Sequence, residues 1–131
     1  MRAWLVLLLL TTVALAGCGD KDKGPGGEPY VTPEKDDHGY QITIKADNTI
    51  SPRNAKVPHG GAVVWTVHVS GCHIKADDGA FDSTNGRDAD GTSYNNGVVP
   101  QGKTFTWAAI EKGEHAYSCN GKDIRGSLKV S

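Results

Sequence analysis

The chain has 131 residues, 14 Lys and Arg against 15 Asp and Glu, a formal charge of −1, and three cysteines. A nucleic-acid binder would carry a basic stripe; none is present, so nucleic acid is excluded as a partner. At this length one small domain is expected, marginal in stability unless its packing is good or a cross-link adds to it.

Arg2 precedes an apolar run from Ala3 to Ala16 that only Thr11 and Thr12 interrupt. The run is shorter than the roughly 20 apolar residues a spanning helix needs, and small and polar residues follow it at once, so residues 1–17 read as a targeting segment removed before folding. Its last residues, Leu15-Ala16-Gly17-Cys18, resemble a bacterial lipobox. That resemblance implies cleavage before Cys18 and diacylglycerol on its sulfur: a soluble body held on a membrane by lipid, in the cell envelope, facing the periplasm or exterior. The plainer alternative is an ordinary signal peptide with an incidental Cys18. Gly19 after the cysteine, rather than an aspartate, implies the outer membrane if the cell is Gram-negative. Residues 18–39 mix Gly24, Pro25, Gly26, Gly27, Pro29 and Pro33 with Lys, Asp and Glu. Such a segment buries too little apolar surface to offset its ordering entropy and is expected to be a flexible tether. Tyr30-Val31-Thr32 is the one place in it where a first strand could hide.

From Tyr40 to the end the apolar pattern has period two, and no stretch keeps a period of 3.6, so residues 40–131 are expected to form one all-β domain. Ile42 and Ile44 alternate with polar neighbours in a first strand, and Asp47-Asn48 and Ser51-Pro52 mark a turn. A second strand over 54–57 stops at Pro58-His59-Gly60-Gly61. The third is the clearest: Val63, Trp65, Val67 and Val69 share one face, opposite Val64, Thr66 and His68. Shorter strands follow over 74–76, 104–109, 115–119 and 126–130. Strands of this length with frequent glycine turns predict a sandwich of seven to eight strands, since the crossover helices of a parallel sheet have nowhere to sit. The polar stretch FDSTNGRDADGTSYNNGVVPQG reads as a surface loop with room for one helical turn. Asp88, Asp90 and Gly91 match fragments of a calcium loop, but the closing glutamate is missing.

Two stretches, VPHGGAVVWTVHVSGCHIKADDGAFDS and KGEHAYSCNGKDIRGSLKV, resemble the two halves of the copper region of the cupredoxin (plastocyanin and azurin) family. The likeness covers most of residues 40–131 and implies a Greek-key β-sandwich with copper as cofactor. In that family a histidine ligand follows a strand aromatic by eight residues, as His73 follows Trp65. A later strand ends in a cysteine ligand, as at Cys119, and a closing G-x-L-x-V strand matches Gly126 to Val130. Two imidazoles and a thiolate with a weak axial ligand make such a centre. The chain departs from this pattern at the site itself. The second histidine should stand at Lys122, no histidine follows Cys119, and Ile124 and Arg125 stand where the axial methionine belongs; the only methionine is Met1. An ordinary blue-copper site cannot be built from these residues.

The same resemblance brings Cys72 and Cys119 to one pole of the sandwich, and two readings stay open. In one, they form a disulfide, as an even pair in an oxidising compartment does once Cys18 carries lipid. The protein is then a metal-free binding or structural module, and His73 an ordinary polar residue on a loop. In the other, Cys72, His73 and Cys119 hold one copper ion with water, Asp123 or a carbonyl, a soft set suited to Cu(I) or Zn. That implies copper sequestration or electron transfer, with a redox or copper-trafficking protein as partner beside the membrane itself. His59 is expected far from the pole, His68 exposed, His38 in the tether, and His115 partly buried and structural. No G-x-S-x-G motif or nucleophile–base pair points to an enzyme.

Overall fold

A computed structural model of the chain describes residues 23–86, 93–120 and 124–131. The leader, Cys18, Asp88, Asp90, Gly91, Lys122 and Asp123 lie outside the described residues. No helix within the described residues is long and apolar enough to cross a membrane.

Among the described residues ten strands form two sheets: β1 (Lys35–Asp36), β2 (Gly39–Ile44), β3 (Ile50–Ser51), β4 (Asn54–Val57), β5 (Ala62–Val67), β6 (Cys72–Ala76), β7 (Val98–Val99), β8 (Thr104–Ala108), β9 (Gly113–Cys119) and β10 (Ile124–Val130). One sheet runs β1-β2-β5-β8, with β3 also on β2; the other runs β4-β10-β9-β6-β7. The pairs β2–β5 and β4–β10 are parallel and the others antiparallel. The all-β sandwich expected from the period-two pattern is therefore present. The count exceeds seven to eight because β1, β3 and β7 are two residues long, too short to show any period.

Alternation decides what each sheet buries. Ile42, Ile44, Val63, Trp65 and Val67 from one sheet meet Val57, Ile74, Tyr117 and Leu128 from the other, all buried. Trp65 packs among the Phe81, Phe105 and Tyr117 rings, centred 5.0, 5.5 and 5.6 Å away. Tertiary contact also trims the pattern. β5 stops at Val67 instead of continuing to Val69, while His68 is exposed and donates its backbone N–H to the Ile44 carbonyl. The stretch expected as a surface loop contributes fully buried Ser83 and Val99. It holds two 3-10 turns, Ser83–Asn85 and Asn95–Gly97.

The segment expected to be a free tether is docked from Gly24 onward. Val31 donates its N–H to the Asn54 carbonyl and accepts from the Lys56 N–H, pairing parallel to β4. Tyr30 OH bonds Glu114 at 2.7 Å and Ser127 at 2.8 Å, and Asn54 Nδ2 donates to the Pro25 and Glu28 carbonyls. The compositional argument counts apolar area the segment could bury by itself. This strap is held instead by backbone groups of an open sheet edge and a few polar side chains, which composition does not register.

Candidate functional site

β6 and β9 are neighbours in antiparallel register, with Ile74 opposite Cys119, which sets the starts of β6 and the ends of β9 at one pole. There Cys72 and Cys119 are joined in a disulfide, with Cα atoms 5.0 Å apart and both residues fully buried. That separation lies well inside the range an ordinary bridge spans. The pair that sequence brought together is thus together, and as a covalent staple.

His73 does not join it. Successive side chains of a strand point to opposite faces, so Cys72, Ile74 and Ala76 enter the core while His73 and Lys75 leave it. His73 Nε2 lies 2.6 Å from Asp82 Oδ1 and 3.2 Å from Thr84 Oγ1. A Cβ on Gly97 would stand 2.9 Å from the same ring nitrogen, so the imidazole packs over a position that also needs a left-handed backbone, at φ +79°. His73 is therefore a strand residue clasping the 82–84 turn, rather than a ligand-ready loop residue. Asp82 caps that turn by accepting from the Thr84 N–H at 2.8 Å. Its carboxyl is pulled down to about 2: burial works against the charge, but the Thr84 hydroxyl, the His73 ring and the Thr84 N–H outweigh it. Sequence reasoning missed Asp82; the signal available was Asp-Ser-Thr, a capping tripeptide, nine residues after His73.

The remaining histidines are spread through the fold. His59 lies in the turn after β4 with Nε2 3.2 Å from the Ile110 carbonyl, and its backbone N–H donates to the Ser131 carbonyl. His38 is in the β1–β2 turn, its N–H donating to Asp36. His115, buried as expected, places Nδ1 2.6 Å from Asp78 Oδ2 and Nε2 2.8 Å from the Glu111 carbonyl.

No family model matches the sequence, and no curated protein does. Solved structures do. The metal-binding domain of the Cu(I)-exporting P-type ATPase CopA of Streptococcus pneumoniae, solved with Cu(I), aligns with TM-score 0.52 at 14% identity, covering 78% of this chain and 95% of that one. A Cu(I) form of an amicyanin mutant aligns with TM-score 0.51 at 15% identity, covering 76% and 92%. The fold is cupredoxin-like. A purple cupredoxin from Nitrosopumilus maritimus aligns at 26% identity with TM-score 0.48, covering 70% and 98%. Copper, which a cupredoxin-like fold brings to mind, does not fit the described residues as they stand. A thiolate ligand must be free, yet both sulfurs at the pole are spent on each other, and the nearest imidazole in sequence, His73, is held on the other face. Among the described residues no group of three or more His, Cys, Asp or Glu could hold a metal ion.

Proposed function

We propose that this protein is a lipid-anchored, cupredoxin-like module of the cell envelope, tethered through Cys18, whose pole carries a structural disulfide instead of a resident copper. It acts by binding a partner, not by catalysis, and Gly19 after the lipidated cysteine supports the outer membrane as its seat if the cell is Gram-negative. The observation that carries this reading is the fully buried Cys72–Cys119 bridge. A disulfide exchanges by in-line attack of a thiolate on sulfur, and neither sulfur is open to such an attack, so the bridge reads as a staple, not an exchange site.

The test is thiol counting on the mature protein unfolded without reductant, followed by copper titration with absorption spectroscopy. No free thiol and no intense thiolate-to-copper band are expected; two free thiols, or such a band, would overturn the stapled reading.

A second reading keeps copper. It is favoured by the meeting of both sulfurs at one pole, because reduction would leave two adjacent soft donors suited to Cu(I), serving copper sequestration or electron transfer with a redox or copper-trafficking partner. Under it, protein reduced with a phosphine while unfolded and then refolded retains one Cu(I) against a competing chelator, Cys119→Ser abolishes retention, and His59→Ala leaves it unchanged. Failure of the reduced protein to retain Cu(I) sinks this second reading and leaves the first standing.

A further inference from the structure

The docked strap limits what a lipid on Cys18 can do, and the inference that follows rests on the lipoprotein reading above. Lys23 pairs with Pro29 within the strap, and five residues separate Cys18 from Gly24, where the strap first meets the sandwich at Asn54. Fully extended, that connection reaches at most about 22 Å, less than the roughly 30 Å width of a domain this size. The attachment itself is tight. Gly24 donates its N–H to the Glu28 carbonyl at 2.7 Å, and a Cβ on it would lie 2.8 Å from the Asn54 side chain and 2.9 Å from the Tyr30 ring. The lipid is therefore tied to one edge of the sandwich, that of the strap and β4, and cannot swing to the others.

The charge on that edge favours an anionic surface. Lys56 of β4 stands in register with Lys129 of β10, and Lys129 Nζ lies 5.5 Å from the Tyr30 ring centre. Lys23 is exposed and Arg53 about half exposed, against the carboxylates of Glu28, 3.3 Å from Arg53, and Glu114, bonded to Tyr30. With Asp20, Lys21 and Asp22 of the connection included, cations outnumber carboxylates five to four, while the whole chain is slightly acidic. We propose that the strap-and-β4 edge is a lipid-facing surface, held flat on anionic headgroups by the short connection to Cys18 and by Lys23, Arg53, Lys56 and Lys129.

The experiment uses the acylated mature protein on vesicles of phosphatidylcholine and phosphatidylglycerol carrying a dansyl headgroup probe, with energy transfer from the native Trp65 and Trp107 as the readout. Inserting twelve Gly and Ser residues between Asp22 and Lys23 leaves the docked strap intact and lengthens only the connection. It is expected to cut transfer at least about twofold. The Arg53→Glu, Lys56→Glu pair is expected to cut it as well and to remove its dependence on phosphatidylglycerol. Equal transfer in wild type and the insertion variant overturns the proposal, as does transfer in wild type that is indifferent to anionic lipid. If the N-terminal peptide carries no acyl mass and the protein fails to float with vesicles, the lipoprotein reading falls and takes this one with it. Flotation with equal transfer sinks the lipid-facing edge alone.

Discussion

Gly126 lies opposite Tyr117 in the β9–β10 register, and a Cβ there would stand 2.7 Å from the phenol oxygen, 2.8 Å from Cζ and 3.0 Å from the Arg53 carbonyl. Tyr117 is fully buried and cannot yield without disturbing the Trp65 cluster. Gly126→Ala is therefore expected to cost about 1–3 kcal/mol, the usual range for overpacking, read from urea unfolding. Adding Tyr117→Phe, which removes the nearest of the three atoms, should recover part of that loss; no recovery would place the clash at the Arg53 carbonyl instead. The bridge is the second decisive feature at this scale. Cys72 and Cys119 are 47 positions apart, and closing a loop of that size stabilises by about 4 kcal/mol in the chain-entropy picture. The double variant Cys72→Ala, Cys119→Ala should lose about 2–4 kcal/mol in the same assay; a loss under about 1 kcal/mol would show that the sandwich does not depend on its staple.

Among elements, the turn between β8 and β9 is fastened to the loop after β6 by one imidazole. Both partners of His115, the Asp78 carboxylate and the Glu111 carbonyl, are acceptors, so the protonated ring, with a proton on each nitrogen, is the form that satisfies both. Burial among Phe81 and Trp107 opposes that charge, but the Glu111 carbonyl and then the Asp78 carboxylate outweigh it, and the pKa is raised. A group with a raised folded pKa contributes stability that is complete below its unfolded value, near 6.5, and is lost as pH rises through the folded value. Wild-type urea midpoints should therefore fall as pH rises above about 6.5 and through the raised folded value. His115→Gln should flatten that slope and Asp78→Asn should reduce it; an unchanged slope in His115→Gln would assign the titration elsewhere. At the same scale, the long alternating strands were legible in the chain: β4 matches its expected 54–57 bounds, and the face of Val63, Trp65 and Val67 is buried as the alternation requires. The Cys72–Cys119 pairing was legible only as one of two alternatives, because proximity at a pole suits a bridge and a metal equally. The Asp82 and Thr84 clasp on His73 was not legible. It joins a strand to a polar loop, and polar loops show no period from which to read a partner.

At the scale of the molecule, the strap is where composition misled most, and it carries the last prediction. β4 is the outer strand of its sheet, paired with β10 on one side only. On the other side its Asn54 carbonyl and Lys56 N–H are taken by Val31, and Asn54 is buried with its amide on the Pro25 and Glu28 carbonyls. Removing residues 18–34 would leave that row of backbone groups unpaired and strip the Asn54 amide of its Pro25 and Glu28 acceptors. An open edge of this kind recruits another strand, and the nearest copy is a second molecule of the same chain. The truncated domain is expected to keep the disulfide and its β-sheet circular dichroism, to unfold at lower urea than the full mature chain, and to shift toward a dimer with rising concentration in sedimentation velocity. A synthetic peptide covering residues 23–36 should reverse the shift by occupying the edge again. A truncated domain that stays monomeric with an unchanged midpoint would mean the strap only lies on the sheet, without completing it.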